Sequence, residues 1–105
     1  MLAQVRSRIV RYTPAEARAD PELLLVDIRS EDERSRDGVI PGPKHVPHSV
    51  LQWRADATSE WRDDELVGRR LCLVCRQGYS SSLAAASLVD LSIDAGDLIG
   101  GYEAW

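Results

Sequence analysis

The segment Leu71–Val89 reads LCLVCRQGYSSSLAAASLV and contains the local pattern that decides the fold. Its first four residues are mainly aliphatic and suit a buried strand, whereas Leu83–Val89 is rich in good helix formers. Between them lies a short loop with one glycine and several hydroxyl side chains, and Cys75 stands at its start. The segment therefore predicts a strand, a tight loop and a helix, with a thiol where the strand ends.

Cys75 is expected to be a nucleophile because of this position. A helix N-terminus presents unpaired backbone N–H groups and the positive end of the helix dipole. Both favour the thiolate, which is the form of cysteine that attacks electrophiles. The junction thus indicates covalent chemistry on this residue.

The rest of the chain alternates between strand and helix signals. Leu23–Ile28 is a continuous apolar run of strand length, and Thr13–Glu16 has the pattern of a capping box with proline at the first helical position. Such apolar strands predict an α/β fold with a mainly parallel sheet. Functional sites in these sheets lie beyond the carboxyl ends of the strands, where Cys75, Asp27 and Arg29 fall.

Shorter signals complete the expected organisation. They are an edge strand at Ile9–Tyr12, a charged turn capped by Ser30 and stopped by Gly38, a weakly amphipathic stretch at Ser49–Arg54, and a last strand at Asp97–Ile99. Trp53 and Trp61 are expected in the core or in a pocket wall, since tryptophan contributes large buried area in a small domain. His45 and His48 are expected in loops or at the surface, with His45 the one placed to approach the site.

The bulk composition is that of one globular domain spanning residues 1–105. The hydrophobic content is 44% and the formal net charge is −4, with acids and bases interspersed. This balance, without a basic patch, argues against nucleic-acid or membrane partners. The first residues lack an apolar signal-peptide core, so we expect a cytoplasmic protein. We also expect that the protein needs no cofactor.

The two cysteines form a C-x-x-C pattern, Cys72 to Cys75, which raises the possibility of a disulfide or a metal site. Three residues along a strand span about 10 Å. A disulfide needs Cα atoms within about 7 Å, so the two thiols cannot pair while the strand exists. A zinc site using these thiols with the histidines of His45–His48 would need four converging ligands, which a strand splays apart. We expect no metal, and Cys72 as a small buried hydrophobic residue.

Four short motifs occur in a characteristic order. They are LVDIR at Leu25–Arg29, GVIPG at Gly38–Gly42, CRQGYSS at Cys75–Ser81 and GGYEAW at Gly100–Trp105. Each motif alone is weak, but together they resemble the marks of rhodanese-like domains. The resemblance extends from about residue 9 to the C-terminus.

The resemblance implies a small α/β fold with a five-stranded, mainly parallel sheet flanked by helices. It also implies a sulfurtransferase in which Cys75 takes a sulfane sulfur from an anionic donor such as thiosulfate and holds it as a persulfide. The acceptor would be cyanide in assays, and a thiol or a sulfur-relay protein partner in cells. Asp27, Arg29 and Ser81 would support the site structurally, and the substrate would be bound by the loop residues Arg76, Gln77, Gly78, Tyr79 and Ser80.

The loop suits a persulfide on physical grounds. N–H groups in a tight loop before a helix form an anion-binding concavity, and Gly78 permits backbone angles that a side chain would forbid. Ser80 and Ser81 add hydroxyl donors. Arg76 resembles the basic residue of thiosulfate-using relatives and would attract an anionic donor, and Tyr79 is expected at the pocket mouth.

Two other functions remain open from the sequence. One is a regulatory or sulfur-relay module that acts with a partner protein and turns over little free thiosulfate. The other is a phosphatase or arsenate reductase, because phosphatases share this fold. Their loop has one more residue and closes with arginine, whereas Cys75–Ser80 counts six residues and closes with serine. The serine cannot clamp a phosphate as a guanidinium does, which disfavours phosphatase activity.

Overall fold

The computed structural model describes residues 2–105, and Met1 of the predicted domain lies outside the described residues. Residues 2–105 form five strands and six short helices in alternation. The strands are β1 (Val10–Tyr12), β2 (Leu23–Asp27), β3 (Lys44–His45), β4 (Arg70–Val74) and β5 (Ala95–Leu98). The helices are α1 (Leu2–Arg6), α2 (Pro14–Ala19), α3 (Glu31–Asp37), α4 (Leu51–Ala55), α5 (Ser80–Val89) and α6 (Gly101–Ala104), with a 3₁₀ turn at His48–Val50.

The strands form one sheet in the order β1-β5-β4-β2-β3, and every neighbouring pair is parallel. β4 is therefore central, with Leu73 opposite Val26 on one side and Asp97 on the other. The α/β class and the five-stranded parallel sheet predicted from the sequence are confirmed. The carboxyl ends of β2, β4 and β5 meet at one edge, which is where the Cys75 loop begins.

Both faces of the sheet are covered, which explains why the strands are continuously apolar. Leu71 and Leu73 pack with α4 and α5 on one face, whereas Cys72 and Val74 pack with Ala17 of α2 on the other. Cys75 belongs to the first of these clusters, so the two cysteines lie in different cores, and both are free thiols. Burial, with a smaller contribution from the nearby Asp97 charge, raises the pKa of Cys72 to about 12.

The capping signals are confirmed. Thr13 and Glu16 form the reciprocal capping box at the start of α2, and Ser30 and Glu33 do so at the start of α3. Gly38 ends α3.

The expectation for the tryptophans is wrong for Trp61, and Trp53 is not a core residue. Trp61 is 65% exposed and Trp53 is 57% exposed, although Trp53 borders a surface cavity beside α5. In α4 the residues four apart, Leu51 and Ala55, face the core, so Trp53 lies on the opposite side of the helix. The core volume is supplied by aliphatic side chains instead.

Two further elements differ from expectation. No helix was predicted at α1, which packs against α5. β5 begins at Ala95, two residues before the predicted start, because Gly96 allows β1 to approach so closely that a Cβ would lie 2.2 Å from the Val10 carbonyl oxygen. None of the helices formed by residues 2–105 has the length and apolar character needed to cross a bilayer.

Candidate functional site

Cys75 lies directly after the carboxyl end of β4, and α5 begins five residues later at Ser80. The residue is 7% exposed. It lines a pocket of about 160 Å³. The other lining residues are Ile28, Arg29, Glu33, His48, Arg76, Gln77, Tyr79 and Ser80. The residue is therefore almost fully buried in the wall of a small pocket.

Two backbone N–H groups face the sulfur atom of Cys75. The N–H of Gly78 donates to Sγ at 3.1 Å and that of Ser81 at 3.3 Å. Gly78 adopts a φ of +89°, a left-handed conformation that glycine takes without strain. The loop thus directs two hydrogen-bond donors at the Cys75 sulfur, where they would stabilise negative charge. One of the two comes from Ser81, one position beyond the loop residues 76–80 from which the donors were expected.

A buried carboxylate lies behind the loop. Asp97 on β5 has no solvent exposure. Its Oδ2 accepts hydrogen bonds from the hydroxyls of Ser81 at 2.8 Å and Ser82 at 2.7 Å. Arg11 on β1 contacts both carboxylate oxygens, with Nε at 2.8 Å from Oδ1 and Nη2 at 3.2 Å from Oδ2. The negative charge of Asp97 is thereby paired.

The carbonyl of Gly78 is held by two arginine side chains from a distant part of the chain. Arg6 Nη2 donates to it at 2.9 Å and Arg11 Nη2 at 3.4 Å. The Ser82 hydroxyl oxygen also lies 3.0 Å from it, but the single hydrogen of that hydroxyl is directed at the closer and charged Asp97 Oδ2. Arg6 comes from α1, which the sequence did not reveal as part of the site. These contacts fix the residue whose N–H faces the sulfur.

Asp27 and Arg29 form a buried pair beside the pocket. Arg29 donates from Nε to Oδ1 at 3.0 Å and from Nη2 to Oδ2 at 2.8 Å. The guanidinium also lies over the Tyr102 ring, 4.0 Å from its centroid. The hydrogen bonds to Asp27 raise the pKa of Arg29 above its ordinary value. Within residues 2–105, Arg29 Nη1 has no hydrogen-bond partner, although it is buried.

Arg76 follows the thiol in sequence and sits among carboxylates. Its Nε lies 3.2 Å from Glu103 and 3.8 Å from Asp37, and the side chain is half exposed. Gln77 donates to the same Glu103 at 3.4 Å. The arginine expected to attract an anionic donor is therefore partly neutralised. Tyr79 is exposed, and both Tyr79 and Ser80 line the Cys75 pocket.

The histidine nearest the site is not the expected one. His48 lines the Cys75 pocket. His45 is occupied elsewhere, with Nε2 at 2.8 Å from the Arg29 carbonyl and Nδ1 at 3.2 Å from Glu31. The reason is that β3 ends at His45, which directs the chain so that the following turn brings His48 to the pocket. Across residues 2–105 there is no cluster of three or more side chains suited to a metal ion.

The residues that the sequence did not point to are mainly charged partners of the loop: Asp97, Arg11, Arg6 and Glu103. Asp97 had one readable signal, because a carboxylate inside a short apolar strand needs a buried partner. Its partner Arg11 lies on an edge strand 86 residues away. No local spacing could have revealed that pair.

Comparison with known proteins gives a consistent family match. The rhodanese-like domain family matches residues 13–105. The adenylyltransferase and sulfurtransferase UBA4 of Candida albicans is 29% identical over 90 residues, which cover 78% of this chain and 19% of that protein. The chain therefore spans about a fifth of the length of that curated relative.

Solved structures share the whole fold. A Rhodopseudomonas palustris protein of unknown function, described as a possible tyrosine phosphatase, has a TM-score of 0.89 and 28% identity, covering 99% of this chain and 84% of that one. The human single-domain sulfurtransferase TSTD1 has a TM-score of 0.71 and 23% identity, covering 90% of this chain and 93% of that one. The identity to the human protein is low enough that the likeness is one of fold.

Proposed function

This chain belongs to the rhodanese-like domain family, and from that premise we propose that it transfers sulfane sulfur through a persulfide on Cys75. The observation that carries the proposal is the pair of N–H groups, from Gly78 and Ser81, that face Cys75 Sγ. Such donors stabilise the negative charge of a thiolate, and they do not react with sulfur themselves. Family membership supports a sulfur-transfer or relay role in general.

The proposed reaction has two transfer steps. The Cys75 thiolate attacks the sulfane sulfur of the donor, so that an S–S bond forms on Sγ. The donor's bond to that sulfur breaks, and the leaving group, sulfite from thiosulfate or a thiolate from a persulfide, takes the electron pair. An acceptor such as cyanide or a thiolate then attacks the outer sulfur, and Cys75 departs as a thiolate. A covalent intermediate of this kind gives ping-pong kinetics.

The charges around the pocket bear on the donor. Arg76 is the cation that would attract thiosulfate, but Glu103 and Asp37 flank it. Glu33 lines the same pocket. A dianion gains less from a cation whose charge is shared in this way. This arrangement favours the second candidate function, in which the site receives sulfur from a persulfide of low charge on a small thiol or a partner protein.

A phosphatase is not proposed, although one structural neighbour is described as a possible tyrosine phosphatase. The loop Cys75–Ser80 ends in serine, and the guanidinium of Arg29 is engaged by Asp27. No arginine side chain closes the loop to bind a phosphate with two hydrogen bonds. Hydrolysis of an aryl phosphate that depends on Cys75 would reverse this conclusion.

Steady-state transfer to cyanide tests the proposal. Initial rates are measured at several fixed cyanide concentrations, once with thiosulfate and once with glutathione persulfide as donor. We expect parallel double-reciprocal lines, no turnover in Cys75→Ser, and turnover close to wild type in the matched variant Cys72→Ala. If only glutathione persulfide supports turnover, the relay function stands and thiosulfate is not the donor. Turnover that survives in Cys75→Ser contradicts the proposal.

A further inference from the structure

We propose that Asp97 is a positioning residue that holds Cys75 in its thiol form at rest, and that it acts through the hydroxyl of Ser81. The proposal rests on the proposed function of Cys75 and adds control of that residue's protonation. It concerns a buried carboxylate that the two transfer steps do not use. Asp97, Ser81 and Ser82 are all fully buried, so water does not compete for their hydrogen bonds.

The direction of the hydrogen bonds follows from the charge of Asp97. Arg11 contacts both of its oxygens, an arrangement that favours the ionised carboxylate. An ionised carboxylate only accepts hydrogen bonds. The hydroxyls of Ser81, at 2.8 Å, and Ser82, at 2.7 Å, must therefore point their hydrogens toward Asp97 Oδ2.

This direction decides what Ser81 offers to Cys75. A hydroxyl has one hydrogen, and that of Ser81 is directed at Asp97. Its lone pairs are left to face Cys75 Sγ, 3.3 Å away, where they accept the S–H of the thiol. A thiolate has no hydrogen to donate, so it meets a lone pair at this position. The contact stabilises the thiol and destabilises the thiolate.

Ionisation of Cys75 therefore requires the Ser81 hydroxyl to rotate. After rotation its hydrogen points to Sγ, and Asp97 loses one charge-assisted hydrogen bond. Asp97 keeps the Ser82 hydroxyl and Arg11, so it is not left unpaired. The thiol proton passes to solvent through the pocket. Two anions thus compete for one hydroxyl hydrogen, and the outcome sets the protonation of Cys75.

The opposing influence comes from the loop N–H groups of Gly78 and Ser81, which favour the thiolate. Other titratable or charged groups also face this region from the surrounding elements. On the pocket side they are Arg29, Glu33, His48, Arg76 and Tyr79, and on the Asp97 side they are Arg6, Arg11 and Cys72. Cys72 is replaced by alanine in every protein of the test below and the other groups are unchanged, so their direct effects are common to each comparison.

A resting thiol has a clear advantage for a persulfide-forming cysteine. Oxidation to sulfenic acid proceeds through the thiolate, so a thiol held by Ser81 resists it. Rotation of one hydroxyl is enough to release the nucleophile. The same loop can therefore hold Cys75 as a thiol at rest and release it as a thiolate for the reaction.

The test is the pH dependence of Cys75 alkylation by iodoacetamide, a neutral reagent, in otherwise wild-type protein with Cys72→Ala. In Asp97→Asn the competing anion is gone, and Ser81 is free to donate to the thiolate. We expect the pH at which the alkylation rate is half of its maximum, the midpoint, to fall by about one pH unit. Below the midpoint this means about tenfold faster alkylation. The matched control Asp94→Asn, at an exposed carboxylate before β5, should leave the midpoint unchanged. A midpoint that rises or stays in Asp97→Asn overturns the proposal.

Two further variants test whether Asp97 acts on Cys75 through the Ser81 hydroxyl. The first of them remains informative if Asp97→Asn does not fold. Ser82→Ala removes the other hydroxyl from Asp97, so Asp97 holds the Ser81 hydrogen more strongly and the midpoint should rise. In a Ser81→Ala background, the shift caused by Asp97→Asn should shrink to less than half. A falling midpoint in Ser82→Ala, or an undiminished shift without the Ser81 hydroxyl, contradicts the proposed link. Because alkylation needs no sulfur donor, these results are independent of whether the chain transfers sulfur.

Discussion

The backbone N–H of Tyr102 donates to the carbonyl of Cys75 at 2.7 Å, and this contact ties α6 to the residue that carries the thiol. The next N–H, from Glu103, donates to the carbonyl of Arg76 at 3.1 Å. Gly101 lies against the same loop, where an added Cβ would be 2.3 Å from the Cys75 carbonyl oxygen. The C-terminal motif therefore supports the Cys75 loop directly.

Gly101→Ala is expected to destabilise the fold and to disturb the loop. The new Cβ would overlap backbone atoms that cannot move away, and the residue has a φ of +61°. The left-handed backbone alone costs about 1–3 kcal/mol in a residue other than glycine. The overlap adds to this, so thermal unfolding should occur at a markedly lower temperature than in wild type.

Gly68→Ala is the matched control for Gly101→Ala. Gly68 has a similar φ of +75°, but an added Cβ there would meet nothing within 4 Å. It should show the backbone cost alone and leave Cys75 alkylation unchanged. Equal losses of stability in the two variants would mean that the contact between Gly101 and the loop has no importance.

Asp27→Asn should be strongly destabilising, because it leaves the buried Arg29 guanidinium without its counter-charge. Removing one partner of a buried ion pair costs about 3–5 kcal/mol. Asp20→Asn removes a partner of the half-exposed Arg70 and should cost no more than about 1 kcal/mol. Urea unfolding of both variants gives the comparison. Similar losses in the two would show that the pair beside the pocket is not a main support of the fold.

Glu103→Gln should speed the reaction of Cys75 with thiosulfate at low ionic strength. The substitution releases Arg76 from its nearest carboxylate, so that more of its positive charge is available to a dianion. The gain should be about two- to fivefold, since a half-exposed pair is worth less than about 1 kcal/mol. Added salt should abolish it.

The measurement for Glu103→Gln is the single-turnover rate of adduct formation. Glu65→Gln, which alters an acidic partner of Lys44, is the control and should have no effect. A thiosulfate rate that is unchanged or lower in Glu103→Gln would show that Glu103 does not restrain Arg76. The rate with glutathione persulfide should respond less, since that donor does not carry the charge of a compact dianion.

Cys72 should make stability fall as the solution becomes alkaline. Burial raises its pKa from 9.0 to about 12 in the folded chain, so the unfolded chain loses this proton first. The contribution of the group is complete below the unfolded pKa and is lost between about pH 9 and pH 12. Within that range the free energy of unfolding should fall by up to about 1.4 kcal/mol per pH unit more in wild type than in Cys72→Ala. Identical pH profiles for the two proteins would contradict the burial of this thiol.

Much of the fold could be predicted from sequence because its signals are local. The apolar run Leu23–Ile28, the capping box at Thr13, the cap at Ser30, and the strand-loop-helix order around Cys75 each depend on neighbouring residues. Chain order then limits such elements to a parallel sheet. The expectation for Trp61 was wrong, because large apolar side chains can remain at the surface when aliphatic residues already fill the core.

The site was less predictable because its charges are brought together by topology. β1 and β5 are neighbours in the sheet although most of the chain separates them, and this places Arg11 against Asp97. The position of His48 depends on where β3 ends, and the end of a strand of only two residues cannot be predicted from the sequence. The Cys75 loop itself was recognisable, since all of its residues are contiguous.

The most direct test of sulfur transfer is the intact mass of the protein after incubation, without reducing agent, with thiosulfate, mercaptopyruvate or glutathione persulfide. A persulfide on Cys75 requires a gain of one sulfur atom with at least one donor. The gain should be retained in Cys72→Ala, absent in Cys75→Ser, and reversed by cyanide. No adduct with any of the three donors, or an adduct that persists in Cys75→Ser, would contradict the proposed role of Cys75.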